Sequence, residues 1–386
     1  MSTSLTTMIR LRAIQNKTRE LFQGMDDYTY RNQFHDDLSP IGWHLGHCMF
    51  IENYWLHEVV QGNDKLTRKA RKLYIPENCP KPKRGGKLPK LEKLLTQVQQ
   101  QQDDNDMFLL EMIPPVSDHP LFHDEYLQNF LIQHYAQHYE TMQMILNQIA
   151  IRNHQGNYHP ETPLLSKPLI EEYVRVEQDD FEVGGESPMS YDNELPRHIR
   201  NLESFRIASK PVSNGEYLNF IEHNGYNEAQ WWSGAGRQWQ QLNNIQHPEH
   251  WCRNERGEWY GIKHQGPFDL DADAPVYGIS HFEAQAFCNW AEVRLPHEHE
   301  WEAAVRSEQL HHTGQVWEWC QNVFYPYQGF KAFPYDEYSK PWFDDNHYVL
   351  RGASPFTRPE IRRASFRNFF NPDKRHIFAG LRLVFD

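Results

Sequence analysis

Three histidines carry the strongest chemical signal in the 386 residues. His134 and His138 stand four apart in Gln133-His134-Tyr135-Ala136-Gln137-His138. On an α-helix such positions project from one face, so both imidazoles can reach a single ion while a neighbouring helix supplies a third. The third lies in Ile41-Gly42-Trp43-His44-Leu45-Gly46-His47, where His47 and His44 share nearly the same face. Spacing does not separate those two. A histidine pair in a chain with 22 histidines is also compatible with a solvated face, or with core residues hydrogen-bonded to backbone. The neighbours Phe130, Leu131, Ile132, Tyr135, Met142, Ile145 and Leu146 argue for an inward face, where an uncoordinated imidazole pair needs other polar partners. Three neutral imidazoles hold a divalent metal without cancelling its charge and leave about three coordination positions open, so anionic ligands such as a thiolate are favoured. The same donors accept iron, zinc, copper or nickel.

Helices must position these side chains. An N-terminal stretch, a helix from Ser39-Pro40 to His57, a third from Leu88 to Leu110 and a fourth from His123 to Ile151 are expected. Ser39 would be the N-cap, with Pro40 at the first helical position. Four long helices suggest a bundle over residues 1–152, with the metal site in its core. Residues 153–172 are rich in Pro, Asn and His without periodicity and read as a linker. In residues 173–386 the pattern changes: 14 of the 21 glycines and ten of the 12 tryptophans lie there. Short apolar runs such as Tyr173-Val174-Arg175-Val176 and Tyr348-Val349-Leu350, bounded by turns, predict a loop-rich α+β domain with one clear helix from His281 to about Glu292. The Gln97 to Gln102 run is expected at an exposed helix end.

The net charge of −13, with no long Lys/Arg block, argues against nucleic acid as a partner. The cysteines Cys48, Cys79, Cys252, Cys288 and Cys320 form no CxxC pair and read as reduced thiols. The N-terminus lacks the apolar core of a signal peptide, and no run of about 18 apolar residues suggests a membrane span, so a cytoplasmic protein without membrane association is expected. Oligomeric state is not legible.

Several blocks resemble known families. Arg294-Leu295-Pro296 to Glu300-Trp301-Glu302, Gly314-Gln315-Val316-Trp317-Glu318-Trp319, Leu350-Arg351-Gly352, and Arg367-Asn368 to Phe378-Ala379-Gly380-Leu381-Arg382 resemble the formylglycine-generating-enzyme domain, a variant of the C-type lectin-like fold. The first half resembles the DinB-like metal-binding four-helix bundle. The expected fold class is therefore α + (α+β). The pair resembles the ergothioneine-type sulfoxide synthases, non-haem iron enzymes that join a thiol to hercynine, the trimethylated betaine of histidine. That resemblance implies Fe(II), with O2 as co-substrate, on His47, His134 and His138, and so prefers His47 to His44. It further implies Gln137 beside the substrate imidazole, Asn368 in substrate binding, and a catalytic acid in Pro334-Tyr335-Asp336-Glu337-Tyr338, with Tyr335 ahead of Tyr338. Phe369 or Phe370 would offer an aromatic face to the quaternary ammonium of hercynine. Trp301, Trp317 and Trp319 read as core residues, and Arg294, Arg351 and Arg382 as buried structural arginines paired with carboxylates such as Glu300 and Glu318.

The chain departs from the family where the thiol is held. Members using γ-glutamylcysteine carry an Arg-Asn-Trp-Asp block whose acid holds the donor's amino group; here it reads Arg367-Asn368-Phe369-Phe370. The arginine-bearing segment that grips the donor's carboxylates reads Lys81-Pro82-Lys83-Arg84-Gly85 here; Lys81, Lys83 and Arg84 are the expected donor-binding residues, with the lysines giving point charges in place of a two-bond fork. Gly352-Ala353-Ser354-Pro355 also differs from the family's Gly-Gly-Ser-Trp. The expected reaction is Fe(II)- and O2-dependent coupling of a thiol, cysteine rather than γ-glutamylcysteine, to the imidazole C2 of hercynine, giving a sulfoxide. Alternatives are a selenoneine synthase taking a selenosugar or thiosugar donor, and a DinB-like metal-dependent thiol transferase. A formylglycine-generating oxidase needs reactive cysteines in the C-terminal blocks, and none follows Cys320.

Overall fold

A computed structural model describes residues 3–385. The chain divides into two units, the first running to Arg152 together with Ser187–Met189 and Arg358–Ile361, the second comprising Asn153–Glu186, Ser190–Thr357 and Arg362–Asp386.

The first unit is helical. Helix α1 spans Leu5–Glu20, α2 Asp27–Arg31, α3 Ile41–Asn53, α4 Arg71–Tyr74, α5 Lys81–Arg84, α6 Leu91–Leu110 and α7 Tyr126–Asn153. In α1 the buried residues are Thr7, Met8, Leu11, Ile14, Gln15 and Thr18, a single stripe at helical period. In contrast, every residue of α3 except Ile51 is buried, the mark of a helix surrounded by others. Gly42 and Gly46 make that possible: a Cβ on Gly42 would overlap the Tyr30 ring, and one on Gly46 the Tyr74 phenol.

Four expectations about this unit need correction. Helix α3 starts at Ile41 with Pro40 as its N-cap, and no side chain caps it. Ser39 Oγ instead accepts from Arg84. The helix is α only to Asn53 and continues as a π-turn over Tyr54–Val59. Helix α7 begins at Tyr126 rather than His123, because Asp124 and Glu125 have φ of 51° and 57°, a left-handed conformation that cannot extend a right-handed helix. The glutamine run is no frayed end: it sits inside α6, and Gln102 is buried, donating to the Tyr135 hydroxyl.

Polar groups inside the bundle are joined across four helices. Glu52 of α3, fully buried, accepts from Gln15 of α1, Asn105 of α6 and the Tyr135 hydroxyl of α7 at 2.7–3.0 Å. Burial pushes its carboxyl up to about 7, although these three donors favour the charged form. A carboxyl whose folded pKa is raised stabilises the fold fully below its unfolded value near 4.5, and that contribution fades as pH rises through about 7. The span corresponds to about 3 kcal/mol. Wild-type protein is therefore expected to lose more melting temperature between pH 5 and pH 8 than Glu52→Gln. Parallel slopes in the two proteins would contradict this.

The second unit is α+β. Its strands are β1 Tyr173–Val176, β2 Asp179–Val183, β3 His198–Leu202, β4 Phe205–Ala208, β5 Trp251–Arg253, β6 Trp259–Lys263, β7 Gly266–Phe268, β8 Trp317–Val323, β9 Tyr348–Gly352, β10 Asn368–Phe370, β11 Ala379–Gly380 and β12 Val384–Phe385. They form sheets ordered β1-β4-β12, β10-β9-β8-β11, β2-β3 and β5-β6-β7. Residues 154–172 contain no helix or strand. The expected helix is found at His281–Trp290. Asn214–Glu222, Gly234–Leu242 and Glu298–Arg306 are further helices that the apolar pattern did not suggest. The first could have been read from Ser213 and Glu216, which form a reciprocal capping box.

Trp301, Trp317 and Trp319 are buried. Arg382 pairs with Glu318, which also accepts from the Trp301 indole. Arg294 pairs with Glu300 at 2.8 Å, and Arg351 with Glu302. The Arg351–Glu302 and Arg382–Glu318 pairs are fully buried, whereas Arg294, expected to be buried, is part-exposed beside Glu300.

Candidate metal centre

His47 of α3 and His134 and His138 of α7 present one ring nitrogen each, and these three atoms lie within 4.8 Å of one another. Ring centroids are 5.2 Å apart for His47–His134, 4.8 Å for His47–His138 and 4.5 Å for His134–His138. The one-turn spacing on α7 aligns its two rings, and Gly46 lets α3 approach α4 closely enough for Tyr74 to reach His47. The Tyr74 carbonyl stands 2.8 Å from His47 Nδ1. A carbonyl only accepts, so the proton sits on Nδ1 and the Nε2 lone pair is free. Trp43 stacks on the same ring, with centroids 4.6 Å apart.

All the imidazoles of the group are held neutral. Burial lowers His47 to about 4 and brings His44, His134 and His138 well below the usual histidine range, with the neighbouring imidazoles adding to the effect for the latter three. The charged side chains acting on His44 and His47 are cations, Arg84 on both and Lys81 on His44. A buried cluster that stays unprotonated offers a divalent metal neutral lone pairs to coordinate, and the nearby cations favour an anionic co-ligand on such an ion. His134 Nδ1 is moreover buried without a hydrogen-bond partner, as fits a side chain whose role the protein atoms alone do not satisfy.

The remaining expected site residues fall as follows. Gln137 is half-buried beside His138 on α7. Lys81 is half-buried and Lys83 exposed. Arg84 is buried: it donates to the Cys79 and Pro76 carbonyls and to Ser39, and lies over the Trp43 ring at 4.0 Å. Its guanidinium is thus committed within the unit, backing the Trp43 that stacks on His47.

In the second unit, Asn368 lies on β10 opposite Leu350, its side-chain oxygen accepting from the Phe369 amide. Phe369 stacks on Phe324 with centroids 4.1 Å apart, beside Cys320 and Val349. Phe370 meets His376 edge-on. Tyr335 and Tyr338 are half-buried, with ring centroids 6.4 Å apart. Tyr338 stacks on Tyr191 at 4.3 Å. Asp192 clamps the loop that carries both tyrosines, accepting from the Phe333 amide at one end and the Ser339 hydroxyl at the other.

Sequence reasoning missed Tyr74, whose role belongs to its backbone carbonyl and leaves no side-chain signature. Gly46 was recognised only as part of a motif. Gly46→Ala is expected to displace Tyr74, lower stability by about 1–3 kcal/mol and weaken metal binding by roughly tenfold through His47. Thermal melts and a metal competition titration check this, and wild-type affinity in the variant would count against it.

Fold and site together define a helical bundle with a buried three-histidine cluster, followed by an α+β unit of the lectin-like kind. The profile of the Sulfatase-modifying factor enzyme 1-like domain matches residues 161–312 and 307–386, and that of the DinB superfamily matches residues 10–142. The chain belongs to the Sulfatase-modifying factor enzyme 1-like family, in the branch with a DinB domain in front that includes the ergothioneine-type sulfoxide synthases. It is 27% identical to the hercynine oxygenase of Mycolicibacterium thermoresistibile over 96% of this chain and 93% of that protein. With the hercynine oxygenase of Mycolicibacterium smegmatis the identity is 28%, over 94% of both chains. The hercynine oxygenase of Mycobacterium tuberculosis is 34% identical over 52% of this chain, and that match spans 57% of the relative. Among the described residues no helix is long and apolar enough to cross a membrane.

Proposed function

We propose that this chain is an Fe(II)- and O2-dependent enzyme that couples a thiol to the imidazole C2 of hercynine and yields a sulfoxide. The observation that carries the reading is the convergence of His47, His134 and His138 in a chain that aligns with hercynine oxygenases from end to end. The overall change balances as thiol plus hercynine plus O2 giving sulfoxide plus water: one S–H and one C–H bond are lost, C–S and S–O bonds form, and O2 accepts four electrons.

When bound, ferrous iron supplies the site of dioxygen reduction and a cation for the thiolate. The three neutral imidazoles leave that cation its full charge and about three open positions. Lys81 adds positive potential on the same side, lowering the cost of the thiolate form. Gln137, next to His138, orients the hercynine ring, and holding ring and thiolate together supplies proximity. Asn368 binds hercynine, and Phe369 or Phe370 faces its quaternary ammonium. Phe369 has one face already against Phe324. Tyr335, with Tyr338 as the second choice, donates the proton that steers the outcome toward C–S coupling.

Free cysteine is the proposed donor, because position 370 holds Phe370 where an acid would hold the amino end of γ-glutamylcysteine, and Arg84 is engaged by backbone carbonyls. A selenosugar or thiosugar donor is the second reading, favoured by the same apolar pair Phe369-Phe370. The test is aerobic incubation with hercynine and each donor, with oxygen uptake followed and products read by mass. Uptake requiring both iron and hercynine, with a cysteine–hercynine sulfoxide as product, is the expected result. Uptake independent of hercynine, or thiol transfer without oxygen, would overturn the reading.

A further inference from the structure

His44 and His47 both lie on α3 and both reach the imidazoles of α7, yet the structure gives them different partners. His47 turns its Nδ1 to the Tyr74 carbonyl. His44 Nδ1 lies 2.9 Å from His138 Nδ1, with ring centroids 5.1 Å apart, while His44 Nε2 is buried without a partner. Two ring nitrogens at that distance share one proton, and its owner decides what His138 can do. If His44 donates, the proton of neutral His138 sits on Nε2, and no lone pair is left for an ion. If His138 donates, Nε2 is a free ligand and His44 must carry its own proton on Nε2.

We propose that His44 is a positioning residue of the metal centre, acting through His138: its Nδ1 accepts the His138 Nδ1 proton, fixing the tautomer and ring angle in which His138 Nε2 coordinates. The inference rests on the three-histidine centre proposed above. Ligating histidines characteristically donate their second nitrogen to a carboxylate, carbonyl or water; here the acceptor is another imidazole. Together with the Tyr74 carbonyl behind His47, this puts neutral acceptors behind two of the three ligands. The ion thereby keeps its full charge for anionic substrates. The buried, unpartnered His44 Nε2 is the cost of placing an acceptor there, and such exceptions concentrate at functional sites.

Two variants separate positioning from packing. His44→Phe keeps the ring volume and removes the acceptor, whereas His44→Asn places an amide oxygen near the Nδ1 position. Metal-free full-length protein is titrated with Zn(II) against a chromophoric chelator, alongside His47→Ala/His134→Ala/His138→Ala. His44→Phe is expected to weaken zinc binding by about 10–100-fold, and His44→Asn is expected to recover most of that loss. Nitrogen-15 NMR of zinc-loaded wild-type protein should show the His138 proton on Nδ1. Wild-type affinity in His44→Phe, affinity in His44→Asn as weak as in His44→Phe, or the His138 proton on Nε2 would each overturn the inference. Should His44→Phe fail to fold, His44→Asn and the NMR assignment decide. If the triple variant binds zinc as tightly as wild type, the centre itself is refuted; if only the triple variant loses zinc, the centre stands and the role of His44 falls.

Discussion

Replacing His134 by alanine is expected to lower metal affinity by at least about 100-fold and to abolish hercynine-dependent oxygen uptake. The proposed centre uses all three donors at once, and any two imidazoles hold a divalent ion far more weakly than three that converge. His47→Ala and His138→Ala should behave alike. Because burial keeps all three imidazoles neutral, the metal-free variants should fold, and removing one buried imidazole should cost stability no more than an ordinary core truncation. Metal content by mass spectrometry after dialysis, read beside a melting curve, separates loss of the ion from loss of the fold. A folded His134→Ala protein that retains one equivalent of metal and full turnover would be incompatible with the proposed centre.

The second large effect is expected at Tyr335. Tyr335→Phe removes one hydroxyl and leaves the ring that neighbours Tyr338, so metal and hercynine binding should persist. Sulfoxide formation is expected to fall by about 10²–10⁴-fold, the scale of a lost general acid, with turnover diverted to oxidation of the thiol alone. Tyr338 stacks on Tyr191, so Tyr338→Phe preserves the stack and should have a smaller effect. Product ratios by mass under air give the answer. If Tyr335→Phe makes sulfoxide at the wild-type rate while Tyr338→Phe does not, the roles are exchanged. If neither changes the ratio, the acid lies elsewhere.

The histidine pair of the candidate metal centre was legible because its spacing is local. His134 and His138 share a face by helical spacing alone, and their apolar neighbours made that face internal. What spacing could not decide was which of His44 and His47 completes the set, since both reach α7. The difference lies in their second nitrogens, and it is set by Tyr74 and His138, which come from distant parts of the sequence. Helix ends were misjudged where tertiary contacts compete with local preference: Ser39 serves Arg84 instead of capping α3, and Asp124 and Glu125 turn left-handed ahead of α7. Gln102 looked exposed because five of six residues from Gln97 to Gln102 are glutamine; its partner Tyr135 lies on another helix. In the second unit Trp301, Trp317, Trp319, Arg351 and Arg382 were readable as core. Arg351 nevertheless pairs with Glu302, a choice that depends on which face of the Glu298–Arg306 helix meets β9. Arg84, expected to grip the donor, is enclosed by carbonyls, and no sequence pattern distinguishes an arginine that binds a substrate from one that supports a ligand's stacking partner.

The most direct measurement is X-ray absorption on metal-free protein loaded with one equivalent of Zn(II), used as a redox-silent stand-in for the ferrous ion. Saturation at one ion per chain, with three imidazole nitrogens at about 2.0–2.1 Å, is the predicted result. Fewer than three histidine scatterers, or a spectrum unchanged when His47, His134 and His138 are all alanine, would contradict it.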